Sequence, residues 1–464
     1  MKTVEKTDFR DKITTVDQSG KRVWLYPKMP KGKFTNWRHF VNTILLIILF
    51  AGPFLRIDGQ PVLMLNILER KFIIFGQIFW PQDFYLFGLA MIVGVIFIVL
   101  FTVVYGRIFC GWICPQTIFM EGVFRRIEYW IEGDWTARKK LDKQEWNAEK
   151  VWKKSIKHGI FFLISFIISN TFLAYIIGSE ELLQIITEPP TAHLSGFIAI
   201  LVFTGVFYGV FAFFREQVCT NVCPYGRLQG VLLDKKSIVV AYDYKRGENR
   251  GKFRKNEDRS SALKGDCVDC SLCVSVCPTG IDIRNGTQLE CINCTACIDA
   301  CDSIMDNVGL AKGLIRYDSE ENIAEGKSGF HWNERSIAYT VVLVLITGLL
   351  SGLLFLRTEV DATILRTPGM MPQKLEDGRI SNLYNYKVIN KTNREMTLEL
   401  ESMVGTATLV GKNQITLPAQ GTAEGALFIY MEKDEMSGLS QPVILQIYEG
   451  GQPLKKVKTK FIGR

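Results

Sequence analysis

Eight of the twelve cysteines in this 464-residue chain stand within thirty-five residues, as Cys267-x2-Cys270-x2-Cys273-x3-Cys277-Pro278 and Cys291-x2-Cys294-x2-Cys297-x3-Cys301. Two-residue gaps let three thiolates close around one iron–sulfur cubane, while the fourth cysteine of each run is carried to the other cubane. The spacing therefore assigns Cys267, Cys270, Cys273 and Cys301 to one [4Fe–4S] cluster, and Cys291, Cys294, Cys297 and Cys277 to a second. Asp302 stands where a proline usually follows the last cysteine. Proline there shapes backbone and is not a ligand, so both clusters are retained. Structural zinc also uses C-x2-C pairs, but a duplicated frame of eight cysteines favours iron and sulfide. This is chemistry that moves single electrons.

The other four cysteines form a second repeat, Cys110-Gly-Trp-Ile-Cys114-Pro115 and Cys219-Thr-Asn-Val-Cys223-Pro224, each about four residues past an apolar run. In a helix, residues four apart share a face, so each pair would present two sulfurs in one direction. Pro115 and Pro224 suit the first turn of short following helices. The bland reading is small apolar residues at a membrane edge. The sharper one is four converging thiols that bind a soft metal, either Cu(I) or a further iron–sulfur centre. Sulfur chemistry leaves that choice open.

These residues need a scaffold, and hydropathy supplies it. Apolar runs at about 40–56, 84–105, 159–178, 196–214 and 337–356 each approach the length that crosses a hydrocarbon core. Lysine and arginine crowd the segment before the first run, the stretch between the second and third, and the stretch from Arg215 to Arg335, whereas 57–83 holds only Arg70 and Lys71 and 179–195 holds none. The positive-inside rule then places the N-terminus and every cysteine in the cytoplasm and 358–464 outside, as expected of a multi-pass protein of the bacterial inner membrane. The net charge of +8 is thus a topology signal. It carries no interleaved basic and aromatic motif of a nucleic-acid partner. About forty largely polar residues precede the first run, which is no signal peptide. The external part has no cysteine, which excludes a disulfide framework.

Histidine narrows the chemistry further. His39, His158, His193 and His331 all lie near run ends, with no facing mid-membrane pair for a buried haem. The spans also lack a ladder of carboxylates, against a proton pump. Between the second and third spans, 115–157 reads as amphipathic helix carrying Phe119, Phe124, Trp130, Trp146 and Trp152, suited to the headgroup layer. Loop 57–83 is too apolar for free solvent and suits the outer interface. Beyond the fifth span the period changes to short alternating segments at 384–388, 396–400, 407–409, 415–417, 426–430, 443–447 and 457–461. About seven strands in that length predict an immunoglobulin-type β-sandwich.

The expected fold class is a polytopic α-helical membrane protein of about five spans with an inserted bacterial two-[4Fe–4S] ferredoxin domain and a C-terminal all-β sandwich. Its expected parts are a cytoplasmic segment 1–39, a four-span domain 40–230, a ferredoxin-like domain and connector 231–334, a fifth helix 335–357 and the external domain 358–464.

The paired C-x3-C-P motifs, the ferredoxin insert and the external tail, in that order, resemble the CcoG family, also called FixG or RdxA, the accessory proteins of cbb3-type cytochrome c oxidase. Further stretches are similar to that family: Arg70-Lys71-Phe72 through Phe79-Trp80-Pro81-Gln82-Asp83-Phe84, Arg138-Lys139-Lys140-Leu141-Asp142, and Val239 to Glu248. The resemblance implies a cupric reductase that turns Cu(II) into Cu(I) for oxidase maturation. It also implies copper as cargo of Cys110, Cys114, Cys219 and Cys223, and copper chaperones or oxidase assembly factors as partners, with the electron donor unnamed. Two rivals share the motifs: a conduit from membrane quinol to another redox partner, and a non-catalytic assembly scaffold.

Overall fold

In a computed structural model of the chain, residues 14–17, 19–57, 59–67, 71–74, 77–79, 84–254, 259, 261–327, 334–355, 359–411, 413–436 and 438–463 are described. Arg70, Trp80 to Asp83 and His331 lie outside them. Among the described residues five helices are long and apolar enough to cross a membrane, as in a multi-pass membrane protein: Lys33–Ala51, Phe84–Tyr105, Ala148–Ile177, Leu194–Gly209 with its π-helical continuation Val210–Phe214, and Glu334–Phe355.

The first helix starts seven residues earlier than hydropathy suggests and stops at Ala51. Its polar N-terminal turn is held by protein instead of water: Asp299 accepts from the amides of Phe34 (3.0 Å) and Thr35 (2.6 Å) and from the Thr35 hydroxyl (2.7 Å). A carboxylate on the first amides of a helix offsets both orphan donors and dipole. The third helix likewise extends back to Ala148, so its polar first turns run on into the membrane stretch.

The segment 115–157 is not one amphipathic helix. It breaks into a π-helical turn Ile118–Phe124 and helices Arg125–Glu132 and Trp135–Lys143 before joining the third span. Phe119 and Phe124 pack inward: Phe124 stacks on Phe211 with centroids 4.8 Å apart and meets Phe161 edge-on. Trp130, Trp146 and Trp152 do face outward. Beneath the aromatic cluster lies a buried ion network. Glu128 binds both Arg215 (2.6 and 2.7 Å) and Arg138 (2.8 Å), and Glu132 holds Lys154 and Lys157, each at 2.9 Å.

Residues 56–79 contain short antiparallel strands, Leu63–Asn66, Lys71–Ile74 and Gln77–Phe79 forming a meander, where the sequence suggested an irregular interfacial loop. Phe72, Ile73 and Ile74 are apolar in succession, which hides the period-two signal.

The C-terminal unit is the expected immunoglobulin-like sandwich. One sheet runs Thr406–Leu409, Thr422–Met431, Ile380–Asn390, Val360–Arg366, with Gln373–Lys374 beside Ile380–Asn390; the other runs Ile415–Leu417, Met396–Ser402, Ser440–Glu449, Gln452–Ile462. Val360–Arg366 was not foreseen, because it follows the fifth span so closely that its residues read as the helix flank. Alternate residues fill the space between the sheets: Tyr384, Val388, Leu398, Leu427, Ile429, Val443, Leu445 and Phe461 have no exposed surface.

Candidate electron-transfer centre

The two ferredoxin-type repeats fold alike. In each, the residue before the second cysteine and the residue after it take left-handed backbone, Asp269 and Ser271 in the first repeat, Asn293 and Thr295 in the second. Alternating handedness curls the chain so that three cysteines face one space, and Asp and Asn accept that conformation more readily than most side chains. A short helix follows each curl, Leu272–Ser275 or Ala296–Val308.

The first repeat ends at Cys277-Pro278, whereas the second continues as helix through Cys301 to Val308. Asp302 in the proline's place permits this, and its carboxylate accepts from the Gly313 amide at 2.9 Å. Helical continuation places Cys301 over the first curl. One cavity is lined by Cys267, Cys270, Cys273 and Cys301, and a second by Cys273, Cys277, Cys291, Cys294 and Cys297. The cysteines of each assigned foursome thus line one cavity, and Cys273 lines both. All twelve cysteines are free thiols, and among the described residues no three His, Cys, Asp or Glu side chains gather on a point as around one ion.

Burial pushes the thiols of Cys273, Cys291 and Cys301 up to about 12 and that of Cys294 to about 11. Buried thiols with such values stay protonated, so iron is what would draw off the protons and supply the compensating charge. Four sulfurs each and apolar walls such as Ile281, Ile283 and Ile315 fit cubanes. When bound, they would supply one-electron oxidation and reduction.

The C-x3-C-P loops do not use the helical face that the spacing suggested. Cys110 lies in the short helix Ile108–Trp112, but Cys114 caps the next helix, with Pro115 in its first turn. Cys219 lies in the π-helical turn Val218–Val222, and Cys223 caps the helix Pro224–Leu232, its sulfur accepting from the Gly226 amide at 3.4 Å. Cys219 lies near enough to Cys114, Cys110 and Cys223 to feel them as like charges, after the burial that raises it to about 12. Cys110 is raised to about 11 by burial, against the pull of Arg107, and its thiol donates to Gln229 Oε1 at 2.8 Å.

The first of these loops rests directly on the second cluster loop. Cys110 packs with Ile292 and Cys294 in one apolar cluster, and Trp112 Nε1 donates to Tyr317 (3.0 Å), whose hydroxyl donates to the Asn293 carbonyl (3.0 Å). Arg38 Nη1 donates to the Cys294 carbonyl at 3.1 Å. Sequence reading missed Arg38, Arg107, Gln229, Asn293 and Asp299. Arg38 and Arg107 were masked by their place at span ends, where arginine reads as a topology signal. His158 and His193 pair with Tyr208 and Glu188, each at 2.8 Å, and not with cysteine.

Residues 214–320 match the family described as a 4Fe-4S dicluster domain, 87–140 a 4Fe-4S binding domain, and 350–464 the immunoglobulin-like fold at the C-terminus of FixG. The chain is 33% identical to protein RdxA of Cereibacter sphaeroides over 95% of its own length and 98% of that protein. It is also 33% identical to the nitrogen fixation protein FixG of Rhizobium meliloti, over 92% of this chain and 87% of that one. A crystal structure of a FixG-related protein from Vibrio parahaemolyticus aligns with 23% of this chain and 97% of its own at 16% identity and a TM-score of 0.20. Identity of that extent, over nearly the whole of both chains, places this protein in the FixG/RdxA family of membrane-associated iron–sulfur proteins.

Proposed function

We propose that this protein carries electrons through two [4Fe–4S] clusters, held by Cys267, Cys270, Cys273 and Cys301 and by Cys291, Cys294, Cys297 and Cys277, and delivers them to Cu(II). The Cu(I) so formed serves assembly of cbb3-type cytochrome c oxidase. The balance is one electron: a reduced cluster loses one, and Cu(II) gains one. Cys110, Cys114, Cys219 and Cys223 receive the ion, since thiolates favour the Cu(I) product over Cu(II). The ferredoxin part and these four cysteines lie on the cytoplasmic side, the sandwich on the other, as the lysine and arginine distribution suggests.

One observation carries the reading: Cys110 of the four-thiol set packs against the ligand loop of the second cluster, in a single cluster of side chains with Ile292 and Cys294. A second reading has support of its own. The match of a 4Fe-4S binding family to residues 87–140, where Cys110 and Cys114 are the cysteines, favours a third iron–sulfur centre at the four thiols. Protein purified without air and reduced should separate the two. Cu(II) should reoxidise the clusters with one Cu(I) formed per electron, at about eight irons per chain for two cubanes or about twelve for three. Reoxidation by quinone but not by Cu(II) would remove the reductase.

A further inference from the structure

Arg107 is the charge that the four-thiol set lacks elsewhere. It is 2% exposed and opens the helix that carries Cys110. Its guanidinium donates to the Leu289 carbonyl, and its Nε has no hydrogen-bond partner. Among the described residues no carboxylate lies within ion-pair distance of it. Glu290, half-buried, is near enough to feel the charge without pairing. Cysteine loops adjoin it on both counts: Arg107 caps the helix that carries Cys110, and the Leu289 carbonyl it binds stands two residues before Cys291. Gly226 lets it approach, because a Cβ there would lie 3.1 Å from Arg107 Nη2 and 2.9 Å from the Cys219 carbonyl.

A buried cation needs an anion, and removing one partner of a buried pair leaves an uncompensated charge. With neutral thiols around it, Arg107 would be such an orphan. With thiolates ligating a metal centre, it is matched. We infer that Arg107 is the counter-charge of a thiolate-ligated redox centre at Cys110, Cys114, Cys219 and Cys223, and that it sets the electron affinity of this centre and of the adjoining cluster at Cys277, Cys291, Cys294 and Cys297. The inference rests on the reading of those cysteines as metal ligands and is independent of whether copper is the acceptor. A fixed positive charge stabilises the reduced, more negative state of any centre beside it. Arg107 therefore acts as a positioning residue for charge, touching no substrate.

The test is a redox titration of the anaerobic full-length protein, with cluster signals followed by EPR in wild type, Arg107→Gln, Arg107→Lys and Gln229→Glu. The signals are assigned by cysteine variants of the first repeat. Arg107→Gln should make reduction of the nearby cluster about tenfold less favourable, a fall of about 59 mV for one electron. The first cluster should stay in place, and Arg107→Lys should keep the wild-type potential. Gln229→Glu, which sets a carboxylate beside Cys110 and leaves Arg107 intact, should shift the nearby cluster in the same direction and serves if Arg107→Gln does not assemble. Unchanged potentials in both charge variants, or equal shifts of both clusters, overturn the inference. If the potentials shift as expected while Cu(II) fails to oxidise the reduced wild type, the copper reading falls and the role of Arg107 stands.

Discussion

Gly111 lies against the backbone of Ile292 so closely that a Cβ on it would sit 2.5 Å from the Ile292 carbonyl oxygen and 2.8 Å from that of Asn293. The glycine between Cys110 and Cys114 is therefore what lets the thiol loop touch the cluster loop. Gly111→Ala should push the two loops apart without removing any cysteine. Iron content should remain at the wild-type value while the rate at which Cu(II) reoxidises the reduced clusters falls at least severalfold in stopped-flow traces. A wild-type rate with intact iron would mean that electrons leave by another route.

The crossing of the fourth cysteines predicts which losses add. Cys301 borders the cavity of the first repeat and Cys277 that of the second. Cys270→Ser with Cys301→Ser damages one site, so this pair should lose no more iron than the worse of its two single changes. Cys294→Ser with Cys301→Ser strikes both sites and should lose about twice as much. Iron and sulfide analysis reads the difference, and equal losses in the two double variants would contradict the crossed assignment.

The cysteine foursomes were legible in the sequence because a cubane constrains ligand spacing tightly and the repeat doubles the signal. The sandwich was legible for a similar reason: strands such as Met396–Ser402 and Ser440–Glu449 bury alternate residues. What escaped were features set by tertiary contact. Asp299 looks like an ordinary helix acid, yet it caps a helix that begins more than 260 residues earlier. The face-sharing argument for Cys110 and Cys114 failed because proline at the next position ends the first helix and turns Cys114 into a cap. Helices were overextended at 115–157 since local pattern cannot foresee a π-helical turn that swings Phe119 and Phe124 inward.

Glu128 is 1% exposed and holds Arg215 and Arg138 together. Glu128→Gln would leave those guanidiniums uncompensated, at a cost of about 3–5 kcal/mol, seen as a lower melting temperature in detergent. Burial raises the pKa of this carboxyl, but Arg215 and the neighbouring Lys157 and Arg138 outweigh it and hold the group well below its ordinary 4.5. With a depressed folded value, its stabilisation is complete above the unfolded value and is lost as pH falls below it. Wild-type melting temperature should therefore drop between about pH 5 and more acid solution. Glu128→Gln should show a smaller drop over that range. Parallel curves for the two proteins would place the acid sensitivity elsewhere.

Asn293 meets two demands at once. Its backbone is left-handed, with φ 54°, and its side-chain oxygen accepts from the Val240 amide at 3.2 Å, tying the second curl to the strand Val239–Tyr242. Asn293→Gly keeps the permitted backbone and gives up the hydrogen bond, a loss of about 1 kcal/mol. Asn293→Val gives up both, adding the strain of a β-branched residue in left-handed space, about 1–3 kcal/mol more. The strain falls between Cys291 and Cys294, so it should express itself as a misfitting second cubane and not as global unfolding. Asn293→Gly should retain both clusters, whereas Asn293→Val should keep about half the iron, with the surviving EPR signal belonging to Cys267, Cys270, Cys273 and Cys301. Full iron in Asn293→Val would show that the left-handed turn is not needed to close thiolates around that site.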